Sequence, residues 1–364
     1  MLIVDGHQDL AWNMLTFGRD YSRSAAETRR LENGGIAPQA NGDTLLGWPE
    51  YQQAQVGVVF ATLFAAPERR RLGDWDTQCY ADTSQAKEHY RAQLDRYYRL
   101  VDDHPDRFRL IFSEADLDRV LAHWDQEQEH PDGHPVGLVI LMEGAEGIGD
   151  PGELEGWWEA GVRLVGPAWA GNRFCGGTRE PGPLTAEGYE LLEAMSGIGF
   201  VLDLSHMDEP AALQALEMYP GVVLASHSNA LALLKGAELN RHLSDRVIHG
   251  IIERDGVIGI VPLNAFLLAG WRRGDPREPV SIERVVAQID HICQLAGDAH
   301  HVGIGSDFDG GFGLQSVPHE IDTIVDLNKL VPLLQEKGYA ESDVERIMGG
   351  NWLRVIRPVL SEAK

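Results

Sequence analysis

Eight short runs of apolar and β-branched residues, each separated from the next by a longer stretch, restrict this chain to few architectures. The runs cover residues 2–4, 56–64, 137–142, 163–165, 200–204, 222–225, 257–261 and 302–305. Their hydrophobicity is continuous rather than alternating, the pattern of strands buried on both faces of a parallel sheet. Amphipathic stretches between them, at 84–101, 186–198, 209–218 and 281–296, suit helices that cover one face of such a sheet. Strand-helix alternation repeated eight times predicts an α/β fold, a closed (β/α)8 TIM barrel. Barrels of this kind reach 364 residues, so residues 1–364 are expected to form one domain. Regions 16–47 and 66–118 are too long for tight connections and are expected to hold helices over the barrel mouth. The Gly- and Pro-rich segments 171–183 and 270–279 read as long loops beside it.

Charge and cysteine usage narrow the partners. An excess of 56 acidic over 31 basic residues gives a formal charge of -25, which repels phosphate backbones and anionic lipid surfaces, so neither nucleic acid nor membrane is expected. There is no 18-residue apolar stretch to span a bilayer. Cys79, Cys175 and Cys293 are odd in number and lack CxxC spacing, which argues against a disulfide framework or a zinc ribbon. The opening run Leu2-Ile3-Val4 is too short for a signal-peptide core and has no basic leader. A reducing cytoplasm is the expected location.

Chemistry-bearing residues recur at the C-terminal ends of the strands. The first strand runs into Asp5-Gly6-His7-Gln8-Asp9, the third into Glu143-Gly144, the fifth into Ser205-His206, the sixth into Ser226-His227 and the eighth into Ser306-Asp307. In a TIM barrel those ends converge on one mouth. Three histidines and three carboxylates gathered there are costly to desolvate unless a cation neutralises them. His7 and Asp9, two apart, are expected to hold one zinc ion, and His206 and His227 a second. Glu143 can bridge the two, because a carboxylate offers two oxygens and paired metals sit about 3.5 to 4 Å apart. Glu146, three residues further on, is the weaker candidate. Asp307 is placed to accept a proton from a metal-bound water, which zinc makes available as hydroxide near pH 7, and to pass it to a leaving amine. Neither a GxSxG elbow nor a GxxxxGK(S/T) phosphate loop is present. Cys175 reads as a plain loop thiol. The His300-His301 pair precedes the last strand, at the barrel end that serves stability, and reads as surface.

The motifs DGHQD at 5–9, MEG at 142–144, DLSH at 203–206, SHS at 226–228, GIGSDFDG at 303–310 and GGNWLRV at 349–355 span almost the whole chain. Together they resemble the membrane (renal) dipeptidase family of amidohydrolase-type metallopeptidases. The resemblance implies a barrel with two zinc ions per chain that hydrolyses dipeptides, often as a homodimer. It gives His7, Asp9, Glu143, His206 and His227 to the metals and Asp307 to the bridging water. It also makes Arg241 the arginine that binds the substrate carboxylate, for which a guanidinium fork is suited. Two departures stand out. Where the family has a histidine after the fourth strand to polarise the scissile carbonyl, this chain has Trp169, although the nearby Asn172 matches as a substrate contact. After the seventh strand, Val261-Pro262-Leu263 replaces an Asn-Phe-Tyr run common in bacterial relatives.

The leading expectation is hydrolysis of a dipeptide, or a dipeptide-like molecule with a free carboxylate. A second is cleavage of another amide, such as an N-acyl amino acid or modified peptide, in a pocket reshaped around Trp169. A third is metal-dependent ligand binding without turnover.

Overall fold

The computed structural model describes residues 1–125, 133–236 and 239–362. Its centre is a nine-stranded parallel sheet in which eight strands make the barrel, β1 (Ile3–Gln8), β2 (Val56–Phe64), β3 (Val136–Glu143), β4 (Val162–Gly166), β5 (Val201–Asp203), β6 (Val223–Leu224), β7 (Ile258–Ile260) and β8 (Val302–Ile304), and Phe108–Leu110 pairs at the side of β3. The order is β6-β5-β4-β3-β2-β1-β8-β7. A parallel bridge from Ala225 to Ile258 joins the outer strands, giving the nearly closed barrel. Every residue of these eight barrel strands is buried except Phe64, which is half-buried, as continuous apolar runs require.

Side chains divide between two cores. Val59, Ile140, Val165 and Leu202 face outward into the layer between barrel and helices. Their neighbours Val58, Val139, Leu164 and Val201 pack inside the barrel with Trp352, Val355 and Ile356. The last three belong to the C-terminal helix Asn351–Glu362. Trp352 is fully buried, its indole N–H donating to the Ile304 carbonyl at 2.8 Å. Gly6 and Gly303 make room for it, since a Cβ at either would come within 2.6 Å and 2.5 Å of the indole.

The helices start and stop on local chemistry. Helix Thr83–Asp103 is capped by the Asp82 carboxylate, and Glu114–Trp124 by a reciprocal pair from Ser113 and Asp116. Helix Ala186–Ile198 begins at the Thr185 hydroxyl and ends at Gly199, whose φ of 103° suits glycine. Among the described residues no helix is long and apolar enough to cross a membrane.

Three expectations need correction. β1 continues beyond residue 4 to Gln8, because its polar residues satisfy one another: the Gln8 amide donates to Asp5 at 2.6 Å. Within segment 171–183, strands Cys175–Gly177 and Glu180–Leu184 form an antiparallel hairpin rather than a plain loop. Its glycines permit a backbone approach that a Cβ on Gly176 would block at 2.1 Å from the Gly182 nitrogen. His301 is buried rather than on the surface, with Nδ1 2.9 Å from the Gly256 carbonyl.

Candidate metal centre

The chain brings its strand-end residues together over the barrel mouth. His7 lies within β1, and Asp9 starts the helix Leu10–Phe17. Glu143 is the last residue of β3. His206, His227 and Asp307 lie in the turns that follow β5, β6 and β8. Two of these turns are strained. His206 and Asp307 have φ values of 68° and 55°, a left-handed region that costs a non-glycine residue about 1 to 3 kcal/mol and clusters at functional sites.

Glu143 sits at the middle. One carboxylate oxygen is 3.0 Å from His206 Nε2 and 3.3 Å from His227 Nε2, and the other is 3.6 Å from His7 Nε2. Asp9 and Asp307 each place an oxygen 3.9 Å from His7 Nε2. The Nε2 atoms of His206 and His227 are 2.9 Å apart. Three overlapping groups result: His7, Asp9 and Glu143; Glu143, His206 and His227; His7, His227 and Asp307. Within each, the potential ligand atoms lie within 4.8 Å of one another. Glu146 is in none of these and instead faces Arg173 at 4.0 Å.

The electrostatics fit a cation. Burial opposes charge on His7, but the carboxylates of Glu143, Asp9 and Asp307 outweigh it and push its pKa to about 10. Burial and the Glu143 charge raise Asp9 to about 6, and burial lifts Asp307 well above the usual carboxylate range. Burial also lowers His206 to about 4 and takes His227 well below its ordinary value. Both are therefore neutral, the form that coordinates metal. The Nε2 of His7 is buried without a hydrogen-bond partner. A bare imidazole nitrogen facing carboxylates fits an atom whose partner is a divalent cation, which would replace the protons otherwise trapped there.

Neighbouring groups hold the cluster. The Thr62 hydroxyl donates to Asp9. Asp5 accepts the Ser306 amide at 2.7 Å and its hydroxyl at 2.5 Å, which fixes the residue before Asp307. Thr178, at the hairpin tip, meets His206 Nδ1 at 2.9 Å. None of these was singled out from sequence, although Asp5 and Ser306 flank the candidate ligands in the motifs that contain them.

Arg241 is 3% exposed. It donates to the Ser228 hydroxyl at 2.9 Å and the His227 carbonyl at 2.6 Å, while its Nε hydrogen is buried without a partner. Trp169 is half-buried, its ring 6.0 Å from that of His206 and 5.2 Å from Phe64. Asn172 is tied into its own loop, donating to the Pro167 carbonyl at 2.8 Å and accepting the Phe174 and Cys175 amides at 2.9 and 3.3 Å. Val261 is joined to Asn229, which also bonds the Phe266 carbonyl behind Arg241.

Comparison with known proteins shows the family and the fold. A protein of Klebsiella pneumoniae, described as an uncharacterized protein in the pqqA 5' region, is 32% identical over 277 residues, covering 73% of this chain and 94% of its own. Dipeptidase tcpJ of Claviceps purpurea is 28% identical over 279 residues, 73% of this chain and 59% of the fungal protein. A crystal structure of a metallo peptidase from Rhodobacter sphaeroides, liganded with a phosphinate mimic of the dipeptide L-Ala-D-Ala, shares the fold. Its TM-score is 0.76 at 24% identity, over 100% of this chain and 99% of that one. The model of the membrane dipeptidase family, peptidase family M19, matches residues 1–364, and the chain belongs to that family.

Proposed function

We propose that this chain is a single-domain, two-zinc hydrolase that cleaves the amide bond of dipeptides, or of dipeptide-like molecules with a free carboxylate. The observation that carries this reading is the convergence of six buried or nearly buried side chains able to ligate a metal into three overlapping groups, two of which share Glu143. Membership of a dipeptidase family supports it, as does the dipeptide mimic held by the Rhodobacter sphaeroides protein.

His7 and Asp9 would hold one cation, His206 and His227 the other, and Glu143 both. When bound, such a pair supplies Lewis acidity and lowers the pKa of water to about 7. Asp307 then receives the proton of the attacking water on a carboxylate oxygen and returns it to the departing amine. Arg241, with a free buried N–H, holds the substrate carboxylate. Asn172 chiefly holds the loop that carries Trp169, leaving one amide hydrogen for a substrate.

A second reading, cleavage of an N-acyl amino acid or modified peptide, is favoured by Trp169. An indole beside His206 presents an apolar wall and one N–H where the family resemblance implies an imidazole. Loss of one oxyanion donor typically costs about 100 to 1000-fold in turnover, so a different substrate is the natural consequence. A homodimer follows from the family resemblance. A cytoplasmic location is supported by three unpaired, buried cysteines.

The test is metal analysis of the purified protein, followed by a panel of L,L and L,D dipeptides beside acylated amino acids. Two zinc ions and release of free amino acids are expected. Hydrolysis of acylated substrates alone would move the assignment to the second reading, and bound zinc without turnover on either panel would leave a binding protein.

A further inference from the structure

His7 and His227 converge on one hydroxyl. Ser226 Oγ lies 2.8 Å from His227 Nδ1 and 3.3 Å from His7 Nδ1. It donates its own proton to Asp203 Oδ2 at 2.5 Å. The other oxygen of Asp203 accepts the backbone amides of Ser205 at 3.0 Å and Ser226 at 2.9 Å. Asp203, Ser226 and both imidazoles are all at most 1% exposed.

A hydroxyl has one proton and two lone pairs. With the proton committed to Asp203, Ser226 can only accept from its other neighbours, the two imidazoles and the Ser205 hydroxyl at 3.3 Å. Nδ1 of each ring therefore carries a hydrogen toward Ser226, which leaves Nε2, the nitrogen facing Glu143, as the one that would meet a cation. Each ring belongs to one group without the other, His7 with Asp9 and His227 with His206, and the two share a third with Asp307. His206 is held separately, by Thr178.

The backbone of Ser226 is pinned as closely as its side chain. Its carbonyl oxygen would lie 2.8 Å from a Cβ on Gly6 and 1.9 Å from a Cβ on Gly259 or Gly305. Two strands and the turn after β8 thus carry glycine where this carbonyl enters, and the hydroxyl cannot drift from the two rings.

We propose that Ser226, locked by Asp203, is a positioning residue that sets the tautomer and aim of both imidazoles, so that one hydroxyl governs two cation positions at once. The proposal rests on the two-cation reading above. Removing a hydrogen-bond partner of a ligating histidine costs about 10 to 100-fold in metal affinity.

The experiment titrates metal-free protein with zinc against a chromophoric chelator, comparing wild type with Ser226→Ala and Thr178→Val. Wild type should show two binding steps. Ser226→Ala should weaken both by about 10 to 100-fold, and Thr178→Val only one. Asp203→Asn supplies a readout that a structural role would not move. Its amide oxygen must still face the two backbone N–H groups, so its NH2 donates to Ser226 and turns the hydroxyl proton toward an imidazole. Nitrogen-15 shifts of the metal-free protein should then show His227 protonated on Nε2, whereas wild type carries Nδ1–H on that neutral ring.

A wild type that binds no divalent cation overturns the two-cation reading itself. A wild type that binds two, with both affinities unchanged in Ser226→Ala or only one reduced, overturns the role of Ser226. Should Ser226→Ala fail to fold, Asp203→Asn decides: unchanged nitrogen-15 shifts overturn the proposal.

Discussion

Arg19 and Asp309 meet at 2.9 Å with both side chains fully buried. Asp309 also accepts the Tyr21 hydroxyl at 2.9 Å, the Thr44 hydroxyl at 2.5 Å and the Leu45 amide at 3.0 Å. Its carbonyl takes the amides of Asn13 and Asn41 at 2.8 and 2.9 Å. Arg19 continues to Glu32 and the Gly42 carbonyl. The turn that carries Asp307 is therefore bolted to segment 16–47, which follows β1, by a carboxylate two residues further on.

Replacing Arg19 with Met should destabilise the fold by about 3 to 5 kcal/mol, because it strands a buried carboxylate without its partner. Adding Asp309→Asn should recover part of the loss by removing the orphaned charge. Urea denaturation of metal-loaded protein measures both. A wild-type midpoint for Arg19→Met would show that the pair does not hold the turn.

Much of this was legible in the chain because burial on both faces leaves an unbroken apolar run. Each of the eight runs overlaps a strand, and Ala186–Ile198 and Glu209–Met218 match the amphipathic stretches residue for residue. The clustering of His7, Asp9, Glu143, His206, His227 and Asp307 could be anticipated because parallel strand ends share one mouth. Roles that depend on a distant partner could not. Ser226 looks like any serine until His7 and Asp203 are placed around it, and Arg19 resembles a surface residue until Asp309 is found. Gly6 and Gly303 gave no sign of Trp352, because a glycine records that something comes close but not what.

Trp352→Ala should cost about 3 to 5 kcal/mol, the usual loss on truncating a buried aromatic. The indole fills the barrel interior against Phe60, with ring centroids 5.3 Å apart. Calorimetry of the metal-loaded variant should show a lowered melting temperature. An unchanged one would mean that the interior collapses around the gap.

Asp307→Asn keeps the shape of the side chain but cannot take up a proton. Turnover should fall by about 100 to 10,000-fold, the range for losing a general acid-base group, with zinc content unchanged. Near-normal rates would remove Asp307 from proton transfer. Loss of metal would recast it as a ligand, consistent with its place beside His7 and His227.

Arg241 is separable by substrate. A hydrogen bond to a charged group contributes about 1.5 to 3 kcal/mol, so Arg241→Ala should lower kcat/KM by about 10 to 100-fold on dipeptides with a free carboxylate. The same dipeptides as C-terminal amides should be cleaved by variant and wild type alike. An equal loss on both would assign Arg241 to holding Ser228 and His227 rather than the substrate.

Chelation should convert the centre from cation-held to proton-held and give the two forms opposite responses to pH. In the metal-free chain His7 is raised from 6.5 to about 10. Its proton therefore contributes stability in full below pH 6.5, and that contribution is lost as pH rises through 10. Asp9, raised from 3.8 to about 6, acts in the same sense at lower pH, losing its contribution as pH climbs through 6. The metal-free melting temperature should thus fall between pH 6.5 and pH 10. In the loaded protein His7 has no proton to lose, so its melting temperature should change little across that window. Thermal melts at the two ends of the window, with and without a chelator, measure the difference. Parallel pH dependence in the two forms would mean that His7 does not exchange its proton for a metal ion.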